Sequence, residues 1–335
     1  MNKDNSAKKW IAFAIALALV VISLLAGKKT DKAQDVAREK FMDQYTENFR
    51  SIFDQYQTET IQGTNDDQKV LLVSVDGIIG DGTAYEGIME DLQSARDDDT
   101  IKAVILEVNS PGGAVYNAEQ IHNMIGKIKD ERNIPVYTVM ETLAASGGYY
   151  VSAPTDKIYA SNETLTGSIG VIMSSYSFEG LFEKYGIKEQ NITTGDMKDA
   201  GSAGKDMTDE QKKYFQDLAD SAFGRFVKVV ADGRGMKEDE VKKLADGRVY
   251  DGSQAVKNGL VDEIGDMEKA INDISKKAKL NDPKVIKRTN YLNSFPGIFS
   301  KVSDLRKGSS KEGDLEVLKE LMDQGYPQPM YLYGR

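Results

Sequence analysis

Cysteine is absent from this 335-residue chain, and histidine occurs once, as His122. The first absence excludes disulfide frameworks, thiolate zinc sites, iron–sulfur ligation and cysteine nucleophiles. The second excludes the multi-histidine sites on which most zinc and non-haem iron catalysis rests. No metal and no cofactor is expected, and a hydrolase built from this chain would need a base other than histidine. Positive charge is also in deficit, with 43 basic against 53 acidic residues and a net charge of −10. Such a surface repels phosphate backbones, and no basic patch outside the N-terminal flank offsets it, so nucleic acid is not an expected partner.

Long apolar runs are missing except for one. Trp10–Gly27, WIAFAIALALVVISLLAG, holds eighteen residues without a charge, preceded by Lys3, Lys8 and Lys9. As a helix it would span about 27 Å, enough for a bilayer core. The alternative is a cleaved signal peptide, but the tempting site after Ala26 has Leu24 at −3 where a small residue is needed. A single-pass anchor over 10–27 is therefore expected, after a short tail over 1–9. Lys28, Lys29 and Lys32 balance the lysines on the other side, so charge alone does not orient it.

Residues 28–67 read as a membrane-proximal segment. Val36, Phe41, Tyr45, Phe49, Ile52 and Tyr56 recur at helical spacing between Ala33 and about Thr60, before the break at Gly63-Thr64-Asn65. Buried strands then alternate with helical patterns: VLLVSV (Val70–Val75), a helix around Gly87–Arg96, AVILEV (Ala103–Val108), a helix with Ile121, Met124, Ile125 and Ile128 on one face, and VYTVM (Val136–Met140). This order predicts an α/β fold with helices on a largely parallel sheet. A short helix is expected at FEGLFEKYG, a strand at NITT (Asn191–Thr194), and a long helix from Thr208 to Ala231 with Phe215, Leu218, Ala222, Phe226 and Val229 on one stripe. Proline is scarce, and four of the seven lie after residue 282. With RKGSSKEG at Arg306–Gly313 reading as a linker, the compact domain is expected over 68–281 and a C-terminal extension over 282–335. That extension holds a short helical pattern at Asp314–Gln324 and ends in the apolar, extended MYLYGR.

Three glycine-rich segments carry candidate chemistry. Asn109-Ser110-Pro111-Gly112-Gly113 follows a buried strand and can aim N–H groups into a cleft, or can be a simple strand-to-helix turn. Ser146 in Ala144-Ala145-Ser146-Gly147-Gly148 sits where a nucleophile would meet helix N–H donors, or where a serine would cap a helix. Lys198, in Gly195-Asp196-Met197-Lys198-Asp199-Ala200-Gly201-Ser202, is a lysine among small residues, or a solvated surface charge. Ser110 is a rival nucleophile, disfavoured because the proline after it supplies no N–H. His122 lies off its helix's apolar stripe and reads as a surface or boundary residue.

Five stretches, taken together in this order, resemble the bacterial signal peptide peptidase A family, membrane-bound serine–lysine proteases of the Clp-protease and crotonase-like fold. They are VNSPGG (Val108–Gly113), ETLAASGGYYVSA (Glu141–Ala153), LTGSIGVI (Leu165–Ile172), GDMKDAGS (Gly195–Ser202) and GRVYDGSQAVKNGLVDEIG (Gly247–Gly265), within about residues 68–266. The resemblance implies a repeated strand–strand–helix core, Ser146 as nucleophile, Lys198 as general base and Ser168 as the hydroxyl orienting that lysine. With it, the N–H groups of Gly113 and Gly147 are the expected oxyanion hole. A lysine works as a base only when neutral, which demands burial and carboxylates turned away, so Asp196 and Asp199 are expected to face elsewhere. The implied activity is endopeptidase cleavage of hydrophobic peptides, such as signal peptides left after export, by a domain outside the cytoplasm.

The chain holds one copy of a repeat that the family's long members hold twice, with lysine and serine in different copies. A homo-oligomeric ring sharing Ser146 and Lys198 between neighbours is the expected partner arrangement. A peptidase for apolar peptides could also bind or trim its own MYLYGR tail, the alternative being a frayed terminus. Two other functions remain open from sequence: a crotonase-like acyl-CoA enzyme, and a catalytically silent membrane scaffold.

Overall fold

The computed structural model describes residues 57–80, 82–289 and 329–334, all within one structural unit, Tyr56–Arg335. In chain order its elements are β1 (Gln57–Gln62), β2 (Asn65–Ile79), α1 (Thr83–Asp97), β3 (Ile101–Ala114), α2 (Val115–Arg132), β4 (Val136–Ala145) and α3 (Gly147–Ser152). There follow β5 (Lys157–Ala160), β6 (Leu165–Gly167), α4 (Glu179–Lys184), α5 (Asp209–Arg234) and α6 (Glu238–Leu244). The last are β7 (Val249–Asp251), α7 (Gly252–Lys257), β8 (Glu263–Ile264), α8 (Met267–Lys277), β9 (Pro283–Thr289) and β10 (Met330–Leu332).

The sheet runs β1-β9-β2-β3-β4-β5-β8, and the step from β2 through β8 is parallel throughout. Parallel strands bury both faces, which is why their sequences are apolar runs rather than alternations. Leu71, Val73 and Val75 point into the larger core with Leu106, Ile121, Ile125 and Phe226. Val70 and Leu72 point the other way, into a second cluster with Ile105, Tyr159, Ile271 and Ile274. Beyond Met140, β4 leaves β5 and pairs Leu143–Ala145 with β6. That splay opens the sheet at the carboxyl ends of β3 and β4, where ligands bind in open α/β sheets.

Several expectations change. The helical pattern drawn to about Thr60 gives way to β1, which pairs antiparallel with β9, so the sheet extends past both expected domain edges at 68 and 281. The polar sequence QTETIQ is an edge strand, where one side meets solvent and no apolar run is needed. Asn191–Thr194 is not a strand: it pairs with none of the described strands, and Ile192 is fully exposed, so its apolar side chain has no core to pack on. The expected anchor at 10–27, the part before residue 57 of the helix expected from Ala33 to about Thr60, the linker and the Asp314–Gln324 helix lie outside the described residues. Among the described residues no helix is long and apolar enough to cross a membrane.

Candidate active site

The turn at the end of β3 is built by Ser110. Its hydroxyl donates to the Gly77 carbonyl (2.6 Å) and accepts from the Gly112 N–H (3.1 Å), with the whole residue buried. Both hydroxyl functions are thus spent on holding the loop, which removes Ser110 as a nucleophile. The same bonds fix Gly112 at φ 97°. A methyl group there would lie 2.0 Å from the Tyr331 carbonyl oxygen and 2.4 Å from the Gly147 nitrogen, so only glycine lets three backbones converge.

Ser146 joins β4 to α3 with φ 54° and ψ −114°, a conformation that costs a non-glycine residue about 1–3 kcal/mol. The surroundings impose it. The Ser146 N–H donates to the Gly167 carbonyl (2.8 Å) and its carbonyl accepts from the Tyr150 N–H (2.8 Å). The six residues of α3 are all buried, and Tyr149 anchors them through its hydroxyl to the Leu260 carbonyl (2.9 Å). The serine side chain makes no capping hydrogen bond, so helix capping does not account for this residue. Packing thus holds a strained backbone around a hydroxyl that makes no capping bond.

Ser168 follows Gly167 directly and is 6 % exposed, also with positive φ, 47°. Its N–H donates to the Arg248 carbonyl (2.8 Å), so the β6–β7 pairing places it beside the Ser146 turn. Lys198 is elsewhere. It is exposed, its N–H closes a turn on the Gly195 carbonyl (3.0 Å), and among the described residues no hydrogen bond or ion pair joins it to Ser146. Asp199 is turned to Lys205, whose ammonium lies 2.6 Å away and holds the carboxyl below its usual range. His122 is a boundary residue, half-buried with its ring edge-on to Tyr150 at 5.5 Å, and burial lowers its pKa. It makes no hydrogen bond to Ser146.

The C-terminal tail occupies the opening in the sheet. β10 pairs antiparallel with the end of β3, setting Met330 opposite Ala114, Tyr331 opposite Gly113 and Leu332 opposite Gly112. On its other side, Met330 exchanges two 3.0 Å backbone bonds with Ile172. The Tyr333 N–H donates to the Pro111 carbonyl (2.8 Å). Bonded pairs alternate along an antiparallel ladder, so Tyr331 and Gly113 form the next one, with the Gly113 N–H aimed at the Tyr331 carbonyl. A methyl on Gly147 would lie 3.1 Å from that same oxygen. An extended peptide therefore rests with one carbonyl between Gly113 and Gly147, beside Ser146. Sequence reading singled out the tail and both glycines. It did not find the walls of the pocket that receives Tyr331, although Ala222 and Phe226 stood in the α5 stripe and Tyr150 follows the serine loop.

Comparison with known proteins gives a consistent result. The profile of peptidase family S49 matches residues 128–281, and that of Clp protease matches residues 63–163. A protein of Enterococcus faecium that carries the name signal peptide peptidase SppA is 37% identical over all of this chain and 99% of its own length. Protease 4 of Haemophilus influenzae is 36% identical over 66% of this chain and 37% of that protein. The chloroplastic serine protease SPPA of Arabidopsis thaliana is 31% identical over 73% of this chain and 36% of its own.

Proposed function

The chain belongs to peptidase family S49 and is a serine peptidase, and from that premise we propose that it cleaves extended hydrophobic peptides through Ser146 and Lys198. The observation that carries the reading is the tail strand, whose Tyr331 carbonyl rests between Gly113 and Gly147 next to Ser146. In the reaction the Ser146 Oγ bonds to the substrate carbonyl carbon and gives its proton to the Lys198 Nζ. The carbonyl oxygen takes the negative charge against the Gly113 and Gly147 N–H groups. Collapse breaks the C–N bond, the lysine returns the proton to the leaving amine, and water releases the acyl group by the same steps in reverse.

Lys198 reaches this site from a neighbouring copy, in a homo-oligomeric ring. In one chain the lysine is exposed to water, and among the described residues no hydrogen bond or ion pair joins it to Ser146. Its arm, from Ile172 to Met197, also exposes Ile172, Tyr176, Leu181, Tyr185, Ile187 and Ile192. A row of this kind is what a monomer avoids and a subunit contact uses. A second copy docking there would bury the row, desolvate Lys198 and bring it to Ser146, with Ser168 orienting the ammonium. Remnant signal peptides at the membrane are the proposed substrates, following the names of the relatives and the apolar register of the tail. Anchoring through residues 10–27, with the peptidase domain outside the cytoplasm, is proposed on the sequence of that segment.

Two inactive proteins test the reading. Ser146→Ala and Lys198→Ala, assembled together, restore partial activity when sites are shared, because some neighbouring pairs combine an intact serine with an intact lysine. Verified mixed assemblies no more active than either variant alone would sink the shared site.

A further inference from the structure

Resting on the proposal that peptides are cut at Ser146, we infer that Tyr149 and Arg234 are positioning residues for that serine, two parts of one buried clamp on α3. Neither touches the reacting atoms. A helix of six residues is too short to stand without packing. The strained Ser146 turn and the Gly147 N–H therefore keep their aim only as well as the surroundings grip α3.

The grip comes from two segments that meet at α3. Tyr149 is fully buried, and its hydroxyl donates to the Leu260 carbonyl (2.9 Å); burial raises its pKa, which keeps it a donor. Leu260 belongs to the loop over Gly259–Asp262, and Arg234, the last residue of α5, ties that loop down. Its two terminal nitrogens donate to the two Asp262 oxygens (3.0 and 2.7 Å), and its Nε donates to the Gly259 carbonyl (3.0 Å). The side chain is 7 % exposed, so the fork works largely out of water. Asp262 also accepts from the Ile158 N–H (2.7 Å), which pins the loop to β5. The same turn of α5 presses on the far end of α3, where a methyl on Gly233 would lie 2.2 Å from the Ala153 carbonyl oxygen. One guanidinium thus fixes both the acceptor that Tyr149 needs and the helix end against which α3 stops. A planar fork can make three such bonds in fixed directions; an ammonium cannot.

The test looks for lost turnover in protein that is fully folded. Full-length, assembled protein is given an apolar fluorogenic peptide well below its melting temperature, as wild type, Tyr149→Phe, Arg234→Lys and the double variant. Lys228→Ala, which breaks an exposed ion pair on the same helix, is the control and should match wild type. Each single variant should lower kcat about tenfold with KM within about twofold, because aim is lost and peptide binding is not. Labelling of Ser146 by a serine-directed phosphonate should slow by the same factor. Since both variants loosen one clamp, the double variant should be no slower than the slower single, instead of about a hundredfold down. A Tyr149→Phe protein with wild-type kcat and only a lower melting temperature makes the contact structural and overturns the proposal, and it decides alone if Arg234→Lys does not fold. Effects that multiply in the double variant overturn the single clamp. Cleavage that survives Ser146→Ala overturns the reading of Ser146 itself, and the positioning with it.

Discussion

Around Ser146 the chain is fixed on every side, whereas around Lys198 it is held by little but its own turns. The serine loop sits between β3, β6 and α3, with its strained φ enforced by a bond to Gly167 and its helix wholly buried. The lysine loop lies on an arm whose residues from Ser174 to Lys198 are mostly exposed, with Ile192 entirely so. On the proposed function, one half of the chemistry is finished within the chain and the other half waits for a surface to press against. On that proposal, the contrast teaches that a single chain can preorganise a nucleophile and an oxyanion hole while leaving the base to assembly. It also separates two kinds of damage that mutations can do.

The largest effect should come from the finished half. Ser146→Ala removes the attacking oxygen and should lower turnover by about 10⁴-fold or more. The side chain caps no helix, so the melting temperature should stay within a few degrees of wild type, which a melting curve beside a peptide assay checks. Activity within tenfold of wild type would place the nucleophile elsewhere and dissolve the contrast.

The unfinished half should respond in the opposite manner. Ile192→Asp puts a charge on a fully exposed apolar position, so the isolated chain should fold with stability within about 0.5 kcal/mol of wild type. If the arm docks on a second copy, that charge must be buried at the contact. Assembly and activity should then fall together, by about thirtyfold for a loss of about 2 kcal/mol. Sedimentation and peptide cleavage measured on the same samples decide it. An unassembled but fully active variant would mean that the arm has no part in the site.

The same division decides what was legible in the sequence. The serine half announced itself because burial and strain restrict residue types: Gly112, Gly147 and Gly167 stand where other backbones approach or φ is positive. The parallel strands were legible for the related reason that both faces are buried. Edge elements were not. β1 carries threonine, glutamate and glutamine on an exposed rim, where many sequences serve equally well, and β9 beside it has only Val285 and Ile286 in the core among lysines and an arginine. Asn191–Thr194 looked like a strand because β-branched residues favour one, but propensity without a neighbouring edge makes no sheet. The tyrosine pocket was hidden because its parts lie far apart in the chain, at Tyr150, Ala222, Phe226 and Tyr331, and only the fold brings them together. Lys198 was recognisable by resemblance alone, since an exposed lysine is the commonest kind.

The smallest effect sharpens the contrast from the stability side, because it belongs to the fixed half and not to the arm. Asp91, on α1, is 6 % exposed, and although the Arg288 guanidinium lies 3.3 Å away, its Oδ1 accepts no aligned hydrogen bond. Burial outweighs the attraction and pushes the carboxyl up to about 7, from 3.8. The folded chain therefore binds this proton more tightly than the unfolded chain does. Its contribution to stability is complete below the unfolded value and is lost as pH rises through about 7. Between pH 6 and pH 8 the loss should be about 1 kcal/mol, a fall of about 3 °C in melting temperature. Asp91→Asn, which cannot ionise, should remove that part of the slope, while Ile192→Asp should leave it in place because Ile192 is fully exposed and has no part in the core that buries α1. Melting curves of the three proteins at both pH values test this. A slope that persists unchanged in Asp91→Asn would move the titration to another group.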